Sequence, residues 1–302
     1  MKQDTLNRFI TAIIPRLPLW TVSIIARRYV AGIKQQDALQ IVRVLNDKGF
    51  SVTIDILGEH SKNMELSQSF TEQYINLYES IQSSKLDCNI SIKPTHLGLD
   101  ISKECVWENL LSLLTIAKKN NNFLRIDMED SSVIDDTIEL YQKCKVHYPE
   151  VGMVLQAYLY RSKDDLDSLC KGSNINLRIC KGIYREHPDI AIQDRQKIND
   201  NYISLLKYAW EKNIYVAIAT HDLELIETAY QLINDLNISS DQFEFQVLYG
   251  VPMSGWLQKH LKNGYKVRIY LPFGKDWYDY SLRRLKENPN IAGYILNNIF
   301  RK

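Results

Sequence analysis

The sequence predicts an α/β protein, a closed (β/α)8 barrel with an N-terminal helical extension. Short β-rich runs alternate with amphipathic helical stretches eight times over about 250 residues, the count and length of such a barrel. Strand–helix alternation implies parallel strands joined by right-handed crossovers. The alternative, an open doubly wound sheet, usually binds nucleotides through a glycine-rich turn after its first strand. Here the stretch IDILGEHSKN after the first run holds one glycine and no G-x-G-x-x-G.

In chain order, residues 1–45 form the extension and 46–302 the barrel domain. The extension contains FITAIIPRLPLWTVSIIARRYV, broken by Pro15, Arg16, Pro18, Arg27 and Arg28. It is too interrupted to span a bilayer and lacks a small-residue cleavage site, which argues against a secretory signal. It reads as a helical arm packed on the rest of the protein, with a membrane-surface segment as the alternative. The strand runs follow: SVTIDIL from Ser51, CNISIKP from Cys88, NFLRIDM from Asn122 and VGMVLQAYLY from Val151. Then come INLRICKG from Ile175, IYVAIATHD from Ile214, FEFQVLYG from Phe243 and YKVRIYLPFG from Tyr265. Helical windows such as SFTEQYINLYESIQSS, KECVWENLLSLLTIAKKN and DDTIELYQKCKVHY lie between them, and several close on signals such as Asn263-Gly264. No Pro/Gly-rich linker interrupts the series. After the eighth run, WYDYSLRRLKENP reads as a helix with Tyr280, Arg283, Arg284 and Glu287 on one stripe and Leu282 and Leu285 opposite.

Composition narrows the function. A hydrophobic content of 45% supports a sizeable core, and a formal charge of +1 argues against a nucleic-acid binder that neutralises many phosphates. The five cysteines are scattered without C-x-x-C spacing, which suits free thiols in a reducing compartment. No metal site stands out, because His96, His187, His221 and His260 fall on separate segments and nothing resembles H-E-x-x-H. No G-x-S-x-G nucleophile elbow occurs.

Barrel chemistry gathers at the C-terminal ends of the strands. Those ends carry Lys93, Asp127 with Glu129, Gln156, Arg178 with Lys181-Gly182, Thr220-His221-Asp222, Gln246 and Tyr270. Taken singly, each has a plain explanation: a residue turning to solvent, a polar filler, or Asp222 capping the next helix. Repeated at seven strand ends, they imply a polar bowl with cations in excess, suited to an anionic ligand. The chemistry then narrows to a bound organic cofactor or to a Schiff-base lysine, Lys93 or Lys181.

The motifs RYVAG, DILGE, SIKPTHLGLD, RIDMEDS, LQAYLYRS, LRICKGIYRE, ATHD, FEFQVLYG, RIYLPFGKDWYDYSLRRLKEN and the closing IFR resemble proline dehydrogenase, most nearly its short monofunctional bacterial form. Singly weak, they occur in the family's order over nearly the whole chain. The resemblance implies a distorted (β/α)8 TIM barrel that holds FAD at the strand C-termini, with the final helix over the mouth. It implies oxidation of L-proline to 1-pyrroline-5-carboxylate, the first step of proline catabolism, with electrons passed to a membrane quinone. A downstream pyrroline-5-carboxylate dehydrogenase is a further partner it brings in.

Carried over by position, the resemblance makes Asp127 and Arg178 the polar pair beside the flavin's reactive nitrogen. Met128, Gln156, the backbone at Lys181, Gly182 and Ile183, and Thr220-His221 become FAD contacts. Lys93, Arg283 and Arg284 become the carboxylate clamp, Tyr270 and Tyr280 flank the substrate ring, and Glu287 orients an arginine. Three positions depart from the family pattern: Ile183 replaces an alanine, Pro94 a leucine and Cys180 an aliphatic residue. The competing readings are a Schiff-base lyase using Lys181 or Lys93 and a flavin-binding barrel without activity. The expected location is the bacterial cytoplasm, with peripheral contact at the inner face of the cytoplasmic membrane left open.

Overall fold

Each of the eight β-rich runs becomes a strand. The computed structural model describes residues 28–58, 60–172, 174–278 and 280–281. Its strands are β1 (Ser51–Ile56), β2 (Cys88–Ile92), β3 (Leu124–Ile126), β4 (Val151–Gln156), β5 (Asn176–Cys180), β6 (Tyr215–Ala219), β7 (Phe243–Leu248) and β8 (Val267–Phe273). They pair in parallel in chain order, and β8 closes on β1, with Thr53 opposite Tyr270 and Asp55 opposite Pro272. The helices are α1 (Gln35–Asn46), α2 (Met64–Ser83), α3 (Lys103–Lys119), α4 (Ile134–His147), α5 (Ser162–Leu169), α6 (Arg195–Glu211), α7 (Leu223–Asp235) and α8 (Trp256–Lys262). Asn63, Ser102, Asp194 and Asp222 cap α2, α3, α6 and α7 by accepting a backbone N–H in the first turn.

The strands bury both faces but divide them by chemistry. Val52, Ile54 and Ile56 alternate with Ser51, Thr53 and Asp55 on β1, and all six are buried. The period of two places the aliphatic set outward, towards the helices, and the polar set in the lumen. Hydrogen bonds between strands that are not neighbours confirm the lumenal set. Arg178 on β5 reaches Asp127 just beyond β3 and Gln246 on β7, and Arg125 on β3 reaches Asn176 on β5. Gly152 makes room for this lower layer, since a Cβ there would lie 2.5 Å from Arg125 Nη1. The aliphatic layer supplies most of the stability, at about 1.5–3 kcal/mol per fully buried side chain.

The chain before β1 is built into this barrel. Tyr29, Val30 and Ala31 are buried, Ala31 N–H donates to Pro272 O at 2.9 Å, and α1 packs on β1 and β8. It occupies the groove where a regular barrel seats the helix that follows β8. The chain leaves β8 at Gly274, whose N–H donates to Gly32 O, and is helical at Trp277 and Tyr278. Arg283, Arg284 and Glu287, like residues 1–27, lie outside the described residues.

One departure in the sequence resolves simply. β2 ends at Ile92, two residues before Pro94, so the missing N–H of Pro94 falls in the following turn and not in the ladder. There its carbonyl accepts from Leu97 and Leu99.

Candidate active site

The C-terminal ends of β1, β2, β3, β5 and β8 bring a charged cluster together. Arg178 Nη1 donates to Asp127 Oδ1 at 2.6 Å, Ser91 Oγ donates to the same oxygen at 2.6 Å, and Tyr270 Oη donates to Oδ2 at 2.9 Å. Both members of the ion pair are nearly inaccessible, Asp127 at 8% and Arg178 at 6%. Burial alone would raise the Asp127 carboxyl, but Arg178, Lys93 and the two hydroxyl donors outweigh it and hold it below the usual value. The Arg178 guanidinium also lies over the Tyr270 ring, 5.2 Å from its centroid.

Arg178 is held from behind as well. Its Nε donates to Gln246 Oε1, Gln246 Nε2 donates to Glu244 Oε1, and Glu244 accepts from Arg268 Nε at 2.9 Å. Arg268 in turn donates to Val52 O at 2.8 Å. This chain fixes the guanidinium in position through charge-assisted bonds in a buried lumen. Arg178 Nη2 and Gln156 Oε1 are among the buried polar atoms that have no hydrogen-bond partner among the described residues. Orphaned groups of this kind are costly, and a ligand or solvent that bonds them removes the cost.

Lys93 lies directly beyond β2, and its Nζ donates to Asp55 Oδ2 at 2.7 Å. Burial opposes its charge, yet Asp55 and Asp127 outweigh burial and push the ammonium above its ordinary value. Glu129 turns aside, accepting from Thr95 N at 3.0 Å and Thr95 Oγ1 at 2.6 Å.

A second group surrounds the ends of β5 and β6. Lys181 Nζ and Arg195 Nη2 both bond Asp222 Oδ2, at 2.6 Å and 3.1 Å. Asp222 is the α7 cap, and these donors hold its carboxyl down at about 2 against partial burial. His221 Nε2 accepts the Leu248 N–H at 2.9 Å, which places the proton of a neutral ring on Nδ1. Thr220 Oγ1 accepts from Asp222 N at 3.1 Å. Gly182 has φ +106, and a Cβ there would come within 2.1 Å of Tyr158 Cδ1, so only glycine lets this backbone pass the ring. Met128 and Tyr280 are buried, whereas Ile183 is 55% exposed.

The structure therefore joins Asp127, Arg178 and Tyr270 directly and sets Lys93 beside them. Gln156 lies on β4 in the same lumen, and Lys181, Thr220 and His221 form the neighbouring group. The sequence reading overlooked Asp55, Ser91, Glu244 and Arg268. Asp55 and Ser91 stand in the same alternation as Lys93 and Asp127, which was the available signal. The expected cation excess is absent among the described residues, because Lys93, Arg178 and Lys181 each face a carboxylate.

Comparison with known proteins identifies the family. The family model described as proline dehydrogenase matches residues 38–295. Proline dehydrogenase 1 of Bacillus subtilis subsp. natto is 37% identical over 278 residues, covering 92% of this chain and 91% of its own. The proline dehydrogenase of Deinococcus radiodurans is 32% identical over 292 residues, covering 95% and 92%. Among solved structures, proline utilization A from Bdellovibrio bacteriovorus, inactivated by N-propargylglycine, superposes with a TM-score of 0.83 at 23% identity. That match covers 95% of this chain and 36% of the longer protein, and it supports the fold. By sequence along nearly its full length, with a barrel to match, the chain belongs to the proline dehydrogenase family.

Proposed function

We propose that this protein oxidises L-proline to 1-pyrroline-5-carboxylate with FAD as its resident cofactor and a membrane quinone as electron acceptor. The observation that carries the reading is the Asp127–Arg178–Tyr270 cluster, with Arg178 Nη2 a buried donor that has no partner among the described residues. The residues present fit the flavin. Arg178 Nη2 and Gln156 Oε1 offer a donor and an acceptor that lack partners among the described residues, and Gly182 keeps a backbone surface that a side chain would close. Met128, Gln156, the Lys181–Ile183 backbone and Thr220-His221 would hold FAD, with Lys181 serving its pyrophosphate. When bound, FAD supplies a two-electron acceptor for the hydride of ring carbon 5.

The protein's own share is orientation and charge. Lys93, Arg283 and Arg284 clamp the carboxylate, and Arg suits this because its planar fork pairs with two oxygens. Tyr270 and Tyr280 flank the substrate ring, and Glu287 orients an arginine. With the carboxylate fixed, carbon 5 is held at near-attack distance and little acid–base work remains. Arg178 provides a fixed positive charge where negative charge develops on reduction. No helix among the described residues is long and apolar enough to cross a membrane; delivery of electrons to a quinone would use peripheral contact. The product would pass to a pyrroline-5-carboxylate dehydrogenase.

The Schiff-base alternative fares worse on Lys93. A nucleophilic lysine needs a depressed ammonium value, and Lys93 is pushed the other way. The deciding experiment is optical. The purified protein should be yellow, and anaerobic L-proline should bleach the flavin band. A yellow protein that never bleaches supports a binding-only barrel, and a colourless protein trapped by borohydride with a carbonyl substrate supports the lyase. Arg283→Met and Arg284→Met should raise KM for proline strongly while FAD stays bound.

A further inference from the structure

Asp55 has no assigned role, yet it is among the most deeply buried charges in the molecule, at 1% exposure. It is the last lumenal residue of β1, where the alternation of Ser51, Thr53 and Asp55 points it inward beside the end of β2. Its Oδ2 accepts from Lys93 Nζ at 2.7 Å, and Tyr74 Oη approaches its Oδ1 at 3.5 Å. Lys93 has no other carboxylate at bonding distance among the described residues. An isolated buried ammonium neutralises itself rather than bear the cost of desolvation. An ammonium has three donors and Asp55 takes one, so capacity remains for an anionic ligand.

We propose that Asp55 is a positioning residue that acts through Lys93, keeping its ammonium charged and fixed for the carboxylate of the substrate. This rests on the proposed use of Lys93 as a carboxylate ligand. Among the described residues, the other ionisable groups around the pair are Asp127, Glu129, Tyr74, Tyr184, Tyr270 and His96. Of these only Asp127 and Glu129 can oppose loss of the Lys93 proton by negative charge near neutrality. Asp127 is already engaged by Arg178, and Glu129 by Thr95. Asp127 also favours the charged Lys93, but Asp55 adds the larger charge effect and the direct hydrogen bond, so its removal shifts the balance at Lys93 towards burial.

The test uses the flavin-loaded enzyme and cyclopentanecarboxylate, a ring acid that cannot be oxidised at nitrogen and stays ionised above about pH 6. Binding is read from perturbation of the flavin absorption band. Wild type should bind with a Kd that is flat from about pH 6 to about pH 9. Asp55→Asn should bind on the order of tenfold more weakly near pH 7. Its Kd should climb further with pH as Lys93 loses its proton. Asp55→Glu keeps the charge on a longer arm, so it should bind more weakly than wild type but stay flat with pH. In a Lys93→Met background, Asp55→Asn should add no more than about a twofold loss, because the two act through one contact.

Wild-type affinity in both Asp55 variants, or a full additional loss in the Lys93→Met background, would overturn the proposal. If Lys93→Met itself binds like wild type, the reading of Lys93 as carboxylate ligand fails first. Should Asp55→Asn not fold, Asp55→Glu carries the test alone, and unchanged affinity there overturns it.

Discussion

Arg178 on β5 crosses the lumen to Asp127 just beyond β3, Nη1 to Oδ1 at 2.6 Å, with both side chains almost wholly buried. A pair in such surroundings is held by mutual compensation, since removal of one partner strands the other charge. Arg178→Met should therefore destabilise the protein by about 3–5 kcal/mol. Adding Asp127→Asn to that variant should recover part of the loss by removing the stranded carboxylate. Urea unfolding of the two single variants and the double variant checks this. Strict additivity would show that the two residues do not act as a pair.

Gly182→Ala tests the cofactor reading at the backbone. At φ +106 an alanine is strained, and its Cβ would press within 2.1 Å of Tyr158 Cδ1. The expected cost is about 1–3 kcal/mol from the backbone, with a larger effect on flavin retention. Adding Tyr158→Ala removes the clash but not the dihedral strain, so flavin content should recover only in part. Full recovery would mean that sterics alone set the need for glycine there.

The barrel was legible because strand runs and helical windows alternate without a break, and all eight runs contain a strand. Their edges were less so. NFLRIDM starts at Asn122, whereas β3 is only Leu124–Ile126, because side-chain pattern does not report where ladder bonds stop. The polar residues after the strands were legible as intrusions at apolar ends. Asp55 and Glu244 were not, because an alternating strand such as SVTIDI also describes a sheet with one face in water. Only closure of the barrel turns the polar face into an enclosed lumen, and closure is set by pairing between β8 and β1, more than 200 residues apart. The charge balance failed for the same reason: Lys93 was counted, but the carboxylate opposite it was not.

Glu244 gives the barrel an acid-sensitive brace. Burial alone would raise its carboxyl, but Arg268, Lys266 and Gln246 bring it down from 4.5 to about 2. A depressed carboxyl stabilises the fold above its unfolded value of about 4.5, and that stabilisation is lost as pH falls towards about 2. The loss should be on the order of 3 kcal/mol. Glu244→Gln lacks this increment and leaves Arg268 without its main counter-ion, so it should be less stable than wild type at neutral pH. The gap between the two proteins should narrow as pH falls from about 5 to about 2. Urea midpoints across that range measure it, and a constant gap would place the acid sensitivity elsewhere.

His96 should act in an earlier window. Its ring is fully buried, both nitrogens lack a hydrogen-bond partner among the described residues, and the Phe70 ring centroid lies 3.5 Å away. Burial, with a smaller push from the Lys93 charge, lowers it from 6.5 to about 3. The folded protein therefore keeps this ring neutral where the unfolded chain protonates it. Stability from this group is complete above about pH 6.5 and falls by about 1.4 kcal/mol per pH unit below that, down to about pH 3. His260, lowered to about 4, contributes a separate share over the upper part of the same window. Replacing an unsatisfied buried ring by an apolar side chain is close to neutral, so His96→Leu should cost less than about 1.5 kcal/mol at pH 7. It should then overtake wild type as the buffer is taken from about pH 6 to about pH 4, with the residual slope shared by His260 and, below about pH 5, by the depressed carboxylates such as Glu244. Parallel stability curves for the two proteins across that range would show that His96 is protonated in the fold, through a partner that its buried surroundings do not supply.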